Sequence, residues 1–261
     1  MHQELYERIQ KACGYVTVTL NDELISQGSC FSVLPTGEIL TAAHVVTGRL
    51  PIKVEDYTDP GCKIYVKFSG LPVIEYGVLV CGIGIQVDAF KDILQVDIAV
   101  LVPKRKEDII FPYLPTKFAI PNLGQQVFLA GYSDELSVPF NLDRIVDSKH
   151  PGMAEFLGVM ESGYMADMTG PMVKRAVIGN HRRFHASNTD QNVKIDGDIL
   201  YMDNGIHIRA SGGPIVNEDG EAVGVITQRA ITSASYSANV DLKVPSGSTI
   251  GISVQPLLGI L

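Results

Sequence analysis

Gly28-Ser29-Cys30-Phe31-Ser32-Val33-Leu34-Pro35-Thr36-Gly37-Glu38-Ile39-Leu40-Thr41-Ala42-Ala43-His44-Val45-Val46 reads as a strand, a turn and a second strand, with a histidine where the second strand ends. Both strand-like runs are short and apolar, and Pro35-Thr36-Gly37 separates them with residues that break regular structure. The pattern recurs on either side. Tyr15–Leu20 is rich in β-branched residues and stops at Asn21-Asp22. Lys63–Ser69, Val73–Cys81 and Val96–Val102 follow, with Asp59-Pro60-Gly61 as a further turn. Farther along come Gln126–Tyr132, Met172–Ile178, Asp198–Tyr201, Pro214–Asn217, Ala222–Thr227 and Thr249–Val254. Many short strands with frequent turns predict an all-β sandwich or barrel architecture.

The rest of the chain frames these strands. Leu5, Ile9 and Ala12 share one helical face, so residues 2–12 are expected to form a short helix packed on the body of the protein. Pro103, Pro112, Pro115 and Pro121, with the charged run Lys104–Asp108, mark a connection between two halves. The expected organisation is an N-terminal helix over 1–13, a first β unit over 14–103, a linker over 104–121 and a second β unit over 122–261. Residues 134–170 lack the strand pattern and are expected to be loops with helical patches near Leu142–Val146 and Ala154–Met160.

Composition narrows the function classes. The 261 residues are 46% hydrophobic and 19% charged, with mean hydropathy +0.16, which is enough apolar material for a sizeable core. A net charge of −8 argues against broad nucleic-acid or anionic-membrane binding. Cys13, Cys30, Cys62 and Cys81 have no C-x-x-C spacing, so neither a metal nor a redox motif is supported, and free buried thiols are expected. The N-terminal residues carry no apolar leader and no stretch is long enough to span a bilayer, so a cytoplasmic protein is expected.

Three segments carry chemistry. The first ends in His44. The second is Val96-Asp97-Ile98-Ala99-Val100-Leu101, an aspartate inside an apolar strand. The third is Ala210-Ser211-Gly212-Gly213-Pro214. A serine hydroxyl is a poor nucleophile until a base lies within hydrogen-bond reach, and histidine has the right basicity. The imidazole in turn needs a carboxylate to fix its tautomer. Glycines after the serine allow a tight turn whose N–H groups can face a developing oxyanion. Singly, each segment has a plainer reading as a turn, a structural histidine or a strand-edge carboxylate. It is their co-occurrence, in the order His, Asp, Ser, that points to nucleophilic catalysis.

Leu40-Thr41-Ala42-Ala43-His44-Val45-Val46, Asp97–Leu101 and Ser211–Pro214 resemble the three signatures of trypsin-like serine proteases, most closely the HtrA-type and related bacterial peptidases. Gly224–Thr227 and Ser248–Pro256 extend the resemblance to the strands beside the substrate cleft. The resemblance implies two six-stranded antiparallel β-barrels of the chymotrypsin type with the active site between them. It implies His44 as base, Asp97 as its orienting carboxylate and Ser211 as nucleophile, with the N–H groups of Arg209 and Ser211 as oxyanion hole. It places Gly205, Thr227, Gln228, Arg229 and Gly251 along the substrate, with the Thr227 hydroxyl near Asp97. It implies a protein or peptide substrate, with no metal and no organic cofactor. A regulatory partner or a homo-oligomer is compatible with it.

The chain departs from the family pattern in two places. Arg209 stands where glycine is usual, two residues before the serine, and leaves two readings open: a partly collapsed resting oxyanion hole, or a preformed one. Asp97 and Ser211 are 211 − 97 = 114 positions apart, so an insertion is expected within 134–200. There Lys174-Arg175 and His181-Arg182-Arg183 read as solvated charges or as a partner-binding element. Gly205, six residues before the serine, supplies no carboxylate for a basic substrate side chain, although Asp203 is near in sequence. A small or apolar side chain at the cleavage site is the expectation. A pseudoprotease or binding scaffold, and a viral-type processing protease with a serine nucleophile, are the competing functions.

Overall fold

The computed structural model describes residues 2–85, 94–106, 108–132, 150–188, 193–206, 209–236 and 240–260. Among them, strands fall into two closed six-stranded antiparallel barrels. The first comprises β1 (Cys13–Leu20), β2 (Glu23–Ser32), β3 (Ile39–Thr41), β4 (Cys62–Phe68), β5 (Val73–Ile85) and β6 (Leu94–Pro103), in the order β1-β2-β3-β6-β5-β4. The second comprises β7 (Gln126–Gly131), β8 (Met172–Asn188), β9 (Val193–Met202), β10 (Pro214–Val216), β11 (Ala222–Tyr236) and β12 (Val240–Ser253), in the order β10-β11-β12-β9-β8-β7. This is the chymotrypsin-type fold.

The near-continuous apolar runs have a clear cause. Alternate residues of one strand point to opposite faces, and here both faces are buried. On β6, Ala99 and Leu101 fill the first barrel, while Ile98 and Val100 join a core shared between the barrels. On β7, Val127 and Leu129 fill the second barrel, while Phe128 and Ala130 face the shared core. The barrels are therefore held together by a third apolar layer. The linker follows both: the N–H groups of Phe111 and Leu114 bind carbonyls of Pro35 and Ser32, and then Lys117 N–H binds Ala222 O.

Helix α1 (Gln3–Ala12) buries Ile9 and Ala12, and Tyr6 meets Phe128 edge-on, so the amphipathic face read from the sequence docks it on the shared core. Helices α2 (Ala43–Thr47) and α3 (Glu55–Thr58) follow β3. Between β7 and β8, helix α4 (Met153–Val159), a wide turn at Met160–Tyr164 and helix α5 (Met165–Thr169) cross to the first barrel. There Lys67 of β4, 1% exposed, pairs with Asp167 at 2.7 Å, donates to Phe68 O and lies over the Tyr164 ring. The helical patch expected at 154–160 thus corresponds to α4, and the one expected near 142–146 lies outside the described residues.

The segment expected to hold an insertion also carries barrel strands longer than the sequence suggested. The arms of β8 and β9 pair from Ile178↔Met202 out to Asn188↔Val193. The charges at His181 and Arg183 are not simply solvated: both face Asp198, which is wholly buried, at 3.2 and 3.7 Å. A buried carboxylate needs such partners. The hairpin of β11 and β12 likewise runs out to Tyr236↔Val240.

Candidate active site

β3 delivers the chain to α2, a five-residue helix that starts at Ala43 and ends on Gly48 in the left-handed conformation at φ 70°. His44 sits in its first turn. β6 runs antiparallel beside β3, with Thr41 opposite Ala99, so Asp97 comes two residues past the pairing and directly under the start of α2. Asp97 accepts the His44 backbone N–H on Oδ1 at 2.9 Å and faces Nδ1 with Oδ2 at 2.7 Å. Both side chains are largely covered, at 27% and 14% exposure. One carboxylate therefore fixes both the main chain and the ring of the histidine, and leaves Nε2 as the free ring nitrogen.

Beneath α2, Cys81 approaches the Ala43 carbonyl, and burial, with the Asp97 charge adding to it, pushes its thiol up to about 12. All four cysteines are free and buried, as the sequence reading expected. Burial likewise raises the thiols of Cys13, Cys30 and Cys62.

Ser211 is presented by the turn before β10. Gly212 N–H binds Ile226 O at 2.7 Å, Gly213 N–H binds Ala210 O at 3.0 Å, and Ser29 N–H of the first barrel binds Ser211 O at 2.8 Å. Gly212 has φ +88°, and a Cβ there would run into Ser29 O and the Thr41 hydroxyl. A Cβ on Gly213 would run into Ala130 O. Gly212 is thus required by close approach between the barrels, and Gly213 by close approach to β7 within the second barrel. Arg209 is also left-handed, at φ 72°. A residue with a Cβ bears about 1–2 kcal/mol of strain there. The chain turns at this point as it would with glycine.

The Ser211 hydroxyl donates to Thr227 O at 3.1 Å, and no hydrogen bond joins it to the His44 ring among the described residues. Thr227 lies in a bulge of β11, where the register with β12 slips between Ile226 and Gln228. Such bulges re-aim the chain locally, and this one turns the Thr227 carbonyl to the serine. The Thr227 hydroxyl donates to Ile250 O at 3.4 Å, and no hydrogen bond joins it to Asp97 among the described residues.

Of the remaining cleft residues, Gln228 is exposed and Arg229 pairs with Thr249 in the ladder. Gly205 lies close against Gly247, and its carbonyl accepts from Lys174 Nζ at 2.9 Å. Gly251 is buried against Ile215 in the second barrel. Asp203 accepts the Val177 N–H at 2.7 Å. The buried Thr249 hydroxyl donates to Asn204 O and accepts Ile206 N–H. Among the described residues, no group of three or more His, Cys, Asp or Glu side chains is placed to hold a metal ion, and no helix is long and apolar enough to cross a membrane.

Residues 28–225 match the trypsin-like peptidase domain family. The chain belongs to that family. Among solved structures, the Rv3671c protease in an inactive form is similar to this trypsin-like peptidase at 15% sequence identity and a TM-score of 0.53, with 98% of this chain and 89% of that chain covered. At that identity the likeness concerns the fold. No curated protein matches the sequence.

Two contributors to the peptidase site were not singled out in the sequence. Ser29 and Thr41 tie the turn before β10 to the first barrel, the Thr41 hydroxyl donating to Ser29 O at 2.7 Å. The available signal was a pair of small polar residues inside apolar strands. Buried hydroxyls need partners, and those of the Ser29 hydroxyl, Arg209 O and Tyr132 N–H, lie across the interface.

Proposed function

We propose that this peptidase is a serine endopeptidase that works through an acyl-enzyme intermediate. The observation that carries the reading is the paired grip of His44 on Asp97, at 2.9 and 2.7 Å, facing a turn that presents Ser211. In this mechanism Ser211 rotates from the Thr227 carbonyl to His44 Nε2, gives up its proton and attacks the scissile carbonyl. Asp97 keeps the ring in the tautomer that can accept that proton and stabilises the imidazolium. The N–H groups of Arg209 and Ser211 receive the oxyanion, and His44 then protonates the leaving amine. Water repeats the sequence on the acyl-enzyme and releases Ser211. No metal or cofactor is needed for these steps.

An extended protein or peptide substrate would pair with the backbone of residues 227–229, in the manner of β-strand addition. Gly205 and Gly251 would lie at or behind the specificity pocket. Asp203 is engaged by Val177, and the Thr249 hydroxyl spends its proton on Asn204 O. These contacts support a small or apolar side chain at the cleavage site.

A second reading is favoured by the same serine. With its hydroxyl on Thr227 O, the resting site is not engaged, which suits a peptidase switched on by substrate or a partner, or a scaffold that never turns over. Incubation with a proteome-derived peptide library separates them. Ser211-dependent cleavage, with small or apolar residues before the cut, supports the peptidase. Intact peptides in every condition, with retained peptide binding, support the scaffold.

A further inference from the structure

Ser29 is wholly buried on β2, and its N–H and hydroxyl both reach the neighbourhood of the nucleophile. Its N–H holds Ser211 O at 2.8 Å and its hydroxyl donates to Arg209 O at 2.8 Å, on either side of Ala210. The same hydroxyl accepts the Tyr132 N–H at 2.9 Å. Directly across the ladder from Ser29 is Tyr15. Its phenol is raised by burial and drawn partly back by the Arg209 guanidinium, so the ionic neighbour of Tyr15 is the same residue whose main chain Ser29 holds. The Tyr15 ring packs edge-on against Tyr132, which closes the network.

We propose that Ser29 is a positioning residue, which holds Arg209 in its left-handed conformation and so keeps the Arg209 N–H available to the oxyanion. The inference rests on the endopeptidase reading above. Left-handed backbone is unfavourable for any residue with a Cβ, so Arg209 has a standing tendency to relax to negative φ. Relaxation turns the peptide groups on the two sides of its Cα relative to each other. Within a chain fixed at both ends such a relaxation moves both groups together, the one bearing the N–H and the one bearing the carbonyl, and the Ser29 hydroxyl resists it by holding the carbonyl. Glycine would need no such restraint, since it populates positive φ freely. The substitution of arginine at a glycine position and the buried hydroxyl beneath it are therefore two parts of one device.

The device is tested with p-nitrophenyl acetate hydrolysis and thermal melting on the full chain, comparing wild type, Ser29→Ala, Arg209→Gly, the double variant and Ser211→Ala. Ser29→Ala is expected to lower kcat by about tenfold to a hundredfold with KM within about twofold, the signature of a contact that matters in the transition state. In the Arg209→Gly background the same change is expected to cost less than about threefold in kcat. Its loss of melting temperature persists there, because Tyr132 N–H loses its acceptor in either background. Ser29→Cys, which keeps a weaker donor, follows the same pattern at smaller amplitude and covers the case in which Ser29→Ala does not fold. An unchanged kcat in Ser29→Ala, or an equal loss in both backgrounds, overturns the positioning role. Equal hydrolysis by wild type and Ser211→Ala overturns the endopeptidase reading itself, a distinct failure.

Discussion

His44 occupies both oxygens of Asp97, with its backbone N–H on Oδ1 at 2.9 Å and its ring Nδ1 on Oδ2 at 2.7 Å. The carboxylate thus locks the start of α2 and the tautomer of the imidazole at once. Asp97→Asn preserves the size of the side chain but presents an amide N–H to one of these two donors. It is expected to lower kcat by about 10⁴-fold with little change in melting temperature. Steady-state ester and peptide hydrolysis checks it, and retained turnover would remove Asp97 from the mechanism.

The turn carrying Ser211 tolerates no side chain at Gly212. That residue is left-handed at φ +88°, and a Cβ would meet Ser29 O and the Thr41 hydroxyl. Gly212→Ala is expected to cost about 2–4 kcal/mol of stability, combining left-handed strain with overpacking at the barrel interface. Urea unfolding followed by tyrosine fluorescence measures it. A loss below about 0.5 kcal/mol would mean that the interface yields more easily than its contacts imply.

The cysteines are expected to be inert while the protein is folded. Burial raises all four thiols, Cys81 to about 12, with the Asp97 charge adding to the effect at Cys81. A thiol whose folded pKa is raised stays protonated at pH 8, and the thiolate is the reactive form. Ellman's reagent should therefore titrate none of them rapidly at that pH, and all of them in denaturant. Prompt reaction of one thiol in the native protein would contradict the burial described here.

Lys67 and Asp167 differ in what each leaves behind. Lys67 is buried at 1% exposure, whereas Asp167 is 39% exposed and can turn to water. Asp167→Ala should leave an under-paired buried ammonium and cost about 1–3 kcal/mol. Lys67→Met keeps the apolar stem and should cost less. Paired denaturation curves decide the order, and the reverse order would show that α5 is held to the first barrel by something other than this pair.

The strands that build the barrels were legible because both of their faces are buried. Val96–Val102 and Gln126–Tyr132 read as strands since every residue but a few meets either a barrel interior or the shared core. The outer arms were not legible. Thr232, Ser233 and Ser235 show no apolar alternation, yet they pair with Val244, Lys243 and Asp241 through the backbone. His181-Arg182-Arg183 reads only as solvated charges or a partner-binding element, and the stretch forms a strand in which Arg183 and His185 lie opposite Asp198 and Asp196.

At the site, His44, Asp97 and Ser211 stood out through their segments, and geometry brings His44 and Asp97 into contact. The bulge at Thr227 and the partnership of Ser29 with Arg209 were hidden. Nothing in a sequence records that residues 180 positions apart share a hydrogen bond.

The central claim is that Ser211 is a nucleophile activated by His44. The most direct measurement is mass-spectrometric detection of the adduct formed with a fluorophosphonate on wild type, His44→Ala and Ser211→Ala. The account predicts one adduct, on the peptide carrying Ser211, which slows by orders of magnitude without His44 and is absent in Ser211→Ala. No Ser211 adduct on the folded wild-type chain, or labelling that survives in Ser211→Ala, would contradict it.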